Sequence, residues 1–390
     1  MESTTNVMPI VDRPEIEFVA GKGDYLYDSN DKAYIDWVQG WAVNGLGHCH
    51  PAMTSAIANQ ADRLINCSPA FHSRKMSSLA SKLASLSGMD YVFFANSGAE
   101  ANEGAIKLAR KWGQQNKEGA FEIITFVNGF HGRTLTTMAA SGKSGWGDKF
   151  EPKTPGFHHA TYNDINSVER LISSRTVGVM LELIQGEAGV VEAQYEFVNE
   201  LVALCRQHGI LLIVDEIQTG VYRTGTALCC EHYGIAPDII TLGKGLGGGV
   251  PVSALLTNKA IMCFEPGDQG GTFNGNPLAM AAAELVIDVM NTDDFKHQLS
   301  ERSQQFESEL SRLQKLFTLG NISGKGMLWA IELNRPIGAK VVQTAFDLGL
   351  LINNPRADKL RFMPALNLSE SAMKKGFDLL EQALRSAIEV

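Results

Sequence analysis

The sequence predicts an α/β protein, with a large domain on a mostly parallel sheet and a smaller α+β domain after it. Three observations carry that expectation. From Pro51 to about Met290, helical patterns alternate with short apolar runs, the order expected when helices cover a mostly parallel sheet. Beyond it, amphipathic stretches from Phe295 to Leu316 and from Ser369 to Ile388 flank strand-like runs at Met327 to Leu333 and Leu360 to Phe362. Finally, Lys244 stands in a glycine-rich loop just past an apolar run, where an open α/β sheet has its ligand crevice.

The elements follow in chain order. Phe18-Val19 and Tyr25-Leu26-Tyr27 read as strands in the first fifty residues. His48-Cys49-His50 reads as a turn before a helix starting at Pro51, because three liganding groups so close together rarely share one ion. Helical patterns at Met53 to Leu64 and Met76 to Leu86 lead to Tyr91–Ala95, a buried strand. Asn96-Ser97-Gly98-Ala99 then opens a helix running to Arg110, with Ala105, Leu108 and Ala109 on one face. Ser97 is a good N-cap, and the small residues after it leave backbone N–H groups free at the positive end of the helix dipole. That makes a phosphate cup without a lysine, although the segment alone also fits an ordinary capped helix. Apolar runs at Ile123 to Val127, Val177 to Leu183 and Ile210 to Val214, with a helix at Phe197 to Gln207, continue the alternation. The last of these runs ends in Asp215, Glu216 and Gln218, and the strand-like Pro237 to Leu242 leads into Thr241–Gly249, the loop carrying Lys244.

Lysine is rarely buried without a task, since its ammonium is strongly hydrated. At a strand end it can act as an amine nucleophile toward a carbonyl, and an acid on a neighbouring strand can keep a pyridinium nitrogen protonated. The same loop formally fits a dinucleotide fingerprint, Gly243-x-Gly245-x-x-Gly248, but the acids beyond it, Glu265 and Asp268, lie in a loop rather than at a strand end. No Gly-Lys-Ser or Gly-Lys-Thr closes a Walker loop. From this segment alone, cofactor chemistry and a structural glycine loop both stay open, and Asp215 could equally be a helix cap.

With 390 residues, 44% of them hydrophobic and 20% charged, the chain can bury one large core and a smaller one. A net charge of -9 and the absence of a basic run with interleaved aromatics argue against nucleic acid. No apolar stretch is long enough to span a bilayer, and Met1 to Asn6 has no basic segment leading into an apolar one. Six cysteines without Cys-x-x-Cys spacing suggest reduced thiols in a cytoplasm.

Taken in order, Asn96-Ser97-Gly98-Ala99-Glu100-Ala101-Asn102-Glu103, Phe130-His131-Gly132-Arg133-Thr134, Gln185-Gly186-Glu187-Ala188-Gly189, Asp215-Glu216-Ile217-Gln218-Thr219-Gly220, Lys244 and Gly271-Thr272-Phe273-Asn274-Gly275-Asn276-Pro277 resemble the class III pyridoxal phosphate aminotransferases. Trp41 to His48 and Leu360 to Asn367 make the acetylornithine aminotransferases the nearest resemblance. Relatives acting on ornithine, 4-aminobutyrate, lysine or putrescine share most of these motifs.

The resemblance implies a fold type I pyridoxal phosphate-dependent transferase with residues 1–50 packing with the small domain, 51–290 forming the cofactor-binding domain and 291–390 the small domain. It implies that Lys244 carries the cofactor and moves the substrate proton, that Asp215 pairs with the pyridinium nitrogen and that Gln218 meets the phenolic oxygen. Ser97, Gly98 and Ala99 would hold the phosphate, Phe130 would stack on the ring with His131 beside it, and Thr272 would reach the phosphate of a neighbouring subunit's cofactor. Arg133 would grip the donor's α-carboxylate and Arg361 that of 2-oxoglutarate, while Glu187 would pair with Arg361 until the keto acid arrives. Gly271 falls with these substrate-binding positions.

The expected protein is therefore a cytoplasmic homodimer without metal, transferring the ω-amino group of N-acetylornithine to 2-oxoglutarate in arginine biosynthesis. An ornithine or other ω-amino acid or diamine aminotransferase is the alternative within the class. A nicotinamide-dependent dehydrogenase and a non-catalytic protein that keeps the fold are the alternatives outside it. Leu183, Tyr222 and Cys229-Cys230 depart from the family pattern, and Tyr222 is expected either to change packing or to reshape the substrate pocket.

Overall fold

A computed structural model describes residues 6–143 and 145–388. The sequence start from Met1 to Thr5 lies outside the described residues. A seven-stranded sheet forms the centre, in the order Tyr91–Ala95, Ser253–Thr257, Ile239–Leu242, Leu211–Asp215, Thr176–Leu181, Glu122–Phe126, Phe157–Ala160. All are parallel except Ser253–Thr257, which runs antiparallel to both neighbours. The sequence pattern does not announce that strand. The physical reason for its direction is the short link from Leu242: a parallel return needs a crossover of a dozen or more residues, usually a helix, and only a 3-10 turn at Lys244–Gly247 is present.

Helices Gly98–Asn116, Tyr195–His208 and Pro277–Met290 lie in this region; the first runs past its expected end at Arg110, the second is close to its expected span, and the third is one the sequence pattern does not mark. Ala105, Leu108 and Ala109 are fully buried, so the predicted face of Gly98–Asn116 is the one that packs inward.

A second, antiparallel sheet of four strands takes the order Ile322–Lys325, Leu328–Glu332, Lys359–Phe362, Asn353–Arg356. Helices Asp293–Phe317, Gly338–Leu348 and Glu370–Ile388 accompany it. The N-terminal strands Phe18–Lys22, Tyr25–Asp28 and Ala33–Asp36 form a third sheet that is completed in parallel by Leu350–Leu351. Trp37 follows directly, fully buried against Phe306, Phe362 and Phe377 at ring-centroid distances of 5.0, 6.0 and 4.9 Å. Such aromatic clusters bury more apolar area per residue than any other side chains and fix one end of the chain on the other.

Next comes an unusual turn. Gln39, Gly40, Trp41 and Ala42 have φ of 48, 60, 68 and 66°, a left-handed helical turn that costs an L-residue roughly 1–2 kcal/mol. Asp36 anchors its entry: Oδ1 accepts the N–H groups of Val38 and Gln39, and Oδ2 faces Nε2 of His48 at 2.8 Å.

Candidate active site

The parallel strands deliver their C-terminal ends to one side of the sheet, and the residues just beyond those ends share a cavity of about 270 Å³. Gly98 and Ala99 follow the strand Tyr91–Ala95; Phe130, His131 and Arg133 follow Glu122–Phe126. Glu182 follows Thr176–Leu181, Asp215 and Gln218 close Leu211–Asp215, and Lys244 follows Ile239–Leu242.

Lys244 adopts φ 42°, a left-handed backbone that costs an ordinary residue about 1–3 kcal/mol, and it lines the cavity from the turn so made. Its amine is pushed below the ordinary lysine range, first by burial and then by the Arg361 charge, with Glu182, Asp215 and Glu187 pulling the other way. At a given pH such an amine has a larger neutral, nucleophilic fraction than an ordinary lysine.

Asp215 is buried, yet every bond its Oδ2 needs is present. It accepts from Nδ2 of Asn102 at 2.8 Å and faces Nδ1 of His131 at 2.8 Å, while Oδ1 accepts the Ile217 N–H at 3.0 Å. Asn102 in turn donates to the His131 carbonyl and accepts from the Thr241 hydroxyl, both at 2.8 Å. Burial disfavours the charged imidazole of His131, but the bond to Asp215 together with the Asp215 and Glu182 charges outweighs it and raises its proton affinity. Glu182, accepting the Phe130 N–H at 2.9 Å, is pushed by burial up to about 7, with His131 opposing the rise and Asp215 adding to it.

Ser97 caps its helix as expected: its Oγ accepts the Glu100 N–H at 3.3 Å and Glu100 Oε2 accepts the Ser97 N–H at 2.7 Å. The Ser97 N–H is thus spent on Glu100, and Gly98 and Ala99, whose first-turn amides have no acceptor within the helix, line the cavity. Glycine is required at the first of these by packing, since a Cβ there would meet Ile217 Cδ1 at 2.8 Å.

A second group sits beside this cavity. Arg361 is fully buried; its Nη2 meets Glu187 Oε1 at 3.2 Å, its Nε donates to Asn353 Oδ1 at 2.9 Å, and Nη1 has no hydrogen-bond partner among the described residues. Among the described residues Oε1 of Gln218 is also without a hydrogen-bond partner, and a Cβ on Gly186 would lie 1.6 Å from it and 3.3 Å from Arg361 Nη1. The bare backbone of Gly186 therefore leaves both groups open. Burial lowers the Arg361 proton affinity, which Glu187 partly restores. Glu187, despite burial, is held down at about 2 by Arg361 and then Lys143. Trp41, from the left-handed turn, lays its ring 5.6 Å from the Arg361 guanidinium.

Arg133 is exposed, with its guanidinium 5.8 Å from the Phe130 ring and 5.5 Å from that of Trp146. Gly271 and Thr272 do not line the cavity of their own chain; Thr272 is exposed. Their loop is tied toward the helix start by Asn274, whose Oδ1 accepts from Asn96 Nδ2 at 2.9 Å.

Tyr222 does not reshape this cavity. It is buried elsewhere, its hydroxyl donating to Asn291 Oδ1 at 2.7 Å, and it lines a separate surface cleft with Lys82 and Asp288. The chain turns away before it, at φ 53° for Val221 and 64° for Tyr222. Cys229 and Cys230 meet the buried Glu216 through their backbone N–H groups, at 2.7 and 2.8 Å, and the Cys230 thiol adds a side-chain contact to the same carboxylate. Asn102, Glu182, Lys143 and Trp41 were given no role by sequence reasoning. Asn102 sits in the helix that Ser97 caps and Glu182 at a strand end, both recoverable signals; Lys143 lies in a polar loop that offers none.

The aminotransferase class-III family model matches residues 9–384. The acetylornithine aminotransferase of Ralstonia nicotianae is 51% identical over 388 residues, 98% of this chain and 97% of that one. Acetylornithine aminotransferase 2 of Bordetella pertussis is 50% identical over 378 residues, 96% of each chain. Among solved structures, the ornithine aminotransferase from Toxoplasma gondii superposes with a TM-score of 0.93 at 33% identity, covering 98% of this chain and 93% of its own. The N-acetylornithine aminotransferase from Stenotrophomonas maltophilia gives 0.84 at 32% identity, with 97% of each chain covered.

Proposed function

Because the chain belongs to the class III aminotransferases, a pyridoxal phosphate-dependent family, we propose that it transfers the ω-amino group of N-acetylornithine to 2-oxoglutarate, giving N-acetylglutamate semialdehyde and glutamate. Relatives named for acetylornithine, half identical over nearly the whole chain, support that donor.

The residues fit the cofactor. The first-turn amides of Gly98 and Ala99 suit a phosphate at the positive end of a helix. Asp215, fixed by Asn102 and His131, suits a protonated ring nitrogen, and Gln218, with an orphaned side-chain oxygen, suits the phenolic side. Phe130 supplies an aromatic wall and Lys244 an amine with lowered proton affinity. Bound there, the cofactor supplies an electron sink that takes an amino group from one substrate and gives it to the next.

The chain's own part is positioning and proton movement. Nζ of Lys244 takes the proton from the donor carbon and returns it in the reverse sense during the second half-reaction. Arg133, at the cavity edge, holds the donor's carboxylate. The observation that carries the assignment is Arg361, a buried guanidinium with one free nitrogen and one replaceable carboxylate partner. With Glu187 in place it is neutralised for an ω-amine donor; with Glu187 withdrawn it offers two parallel donors to the α-carboxylate of a keto acid.

We extend the reading to a cytoplasmic homodimer in which Thr272 and Gly271 serve the neighbouring subunit's site; the exposure of Thr272 and the Asn274–Asn96 tie beside the phosphate cup support it. The division at residues 50 and 290 belongs to the same reading, with the N-terminal sheet joined to the small domain through Leu350–Leu351. The likeness to solved ornithine aminotransferases supports ornithine as a second donor reading. The test is the visible spectrum of the purified protein while N-acetylornithine, ornithine, 4-aminobutyrate and lysine are added in turn without keto acid. Bleaching of the cofactor band by N-acetylornithine at the lowest concentration is expected. Bleaching by another amine alone would move the donor assignment.

A further inference from the structure

Glu187 does not face Arg361 alone. Its Oε1 meets Arg361 Nη2 at 3.2 Å while its Oε2 meets Lys143 Nζ at 3.0 Å, so one carboxylate bridges two cations. The two cations differ in burial: the Arg361 side chain is 1% exposed, that of Lys143 31%. Lys143 is also fixed, its Nζ standing 5.4 Å from the ring centroids of both Phe130 and Trp146.

A carboxylate that must leave a buried guanidinium loses its counter-charge, and breaking such a pair is strongly unfavourable unless another cation replaces it. From the bridging position, rotation of Glu187 off Arg361 keeps its second oxygen on Lys143. We propose that Lys143 is a positioning residue for the second substrate, the cation that retains Glu187 when a dicarboxylate takes Arg361. The inference rests on the functional reading above. Lys143 need not touch either substrate; it sets how readily Arg361 is vacated. The aromatic pair beneath it belongs to the same device, because Phe130 also walls the cofactor cavity and so ties the retaining cation to the site it serves.

The test uses the cofactor-loaded enzyme and glutarate, an unreactive dicarboxylate, with its dissociation constant read by calorimetry and the two half-reactions followed separately. Lys143→Met is expected to weaken glutarate about tenfold and to raise the KM for 2-oxoglutarate similarly, while kcat and the donor half-reaction change less than about twofold. Lys143→Arg should restore glutarate binding. In a Glu187→Gln background, where no anion needs retaining, Lys143→Met should no longer matter. Unchanged glutarate binding in Lys143→Met would overturn the proposal. So would a loss that persists undiminished in the Glu187→Gln background, which would mean direct contact with the ligand or a folding defect. If the wild type does not turn over 2-oxoglutarate at all, the functional reading fails first and takes this proposal with it.

Discussion

Two charge networks beside one cavity are built to opposite rules. Around Asp215 the polar atoms are paired: Asn102 donates to it, His131 faces it, and Thr241 completes Asn102. Around Arg361 the pairing is unfinished, with Nη1 and the nearby Gln218 Oε1 open and Glu187 divided between Arg361 and Lys143. A satisfied buried network rigidifies, whereas an unsatisfied one keeps free energy available for a ligand. The contrast suits a site whose cofactor stays while its substrates alternate.

The contrast can be broken or sharpened by substitution, from the largest effect down. Lys244→Ala removes the amine that both ends share, and steady-state turnover should fall at least about a thousandfold; any sustained turnover by that variant would remove Lys244 from its role. On the open side, Arg361→Ala should raise the KM for 2-oxoglutarate roughly a hundredfold, because a buried charge partner is lost, with a smaller effect on the donor half-reaction. On the closed side, Asn102→Ala removes a charge-assisted bond from Asp215 and should weaken cofactor retention by about tenfold, read from its dissociation rate after dilution.

A pH experiment probes the closed side without any ligand. Glu182 binds its proton more tightly in the folded chain, rising from 4.5 to about 7, so its contribution to stability is full below pH 4.5 and is lost as pH rises toward 7. The loss amounts to about 3–4 kcal/mol. In the cofactor-free protein, Glu182→Gln should flatten that decline in urea unfolding across the window. The part that remains from Glu216, raised by burial to about 6, should level off above pH 6 as that carboxyl completes its titration. The smallest effect is expected from Tyr222→Gly, which should leave the KM for N-acetylornithine within about twofold while costing some stability through the lost Asn291 bond. A larger KM change would tie the outer cleft to the site.

Much of this was legible in the chain. Asp215, Lys244 and the Ser97 cap stand where apolar runs end and glycine or a capping residue begins, so strand ends and a helix start could be marked from local pattern alone. The strand Ser253–Thr257 could not, because its direction depends on the length of a link rather than on periodicity. Lys143 and Trp41 enter the site only through the path of the chain, one across the Phe130 loop and one from a left-handed turn near the start. Tyr222 misleads for the converse reason: four residues from Gln218, it follows a backbone reversal that carries it out of the cavity.

The first strands and the last hundred residues are partners. Ala33–Asp36 finds its outer neighbour in Leu350–Leu351, and Trp37 finds its cover in Phe306, Phe362 and Phe377. At roughly 5–20 residues per second, a ribosome completes that pairing on the order of tens of seconds after the first strand has emerged. Throughout that interval the nascent chain shows an unpaired sheet edge and a bare indole, so the newborn protein depends on shelter at its beginning until its end is made.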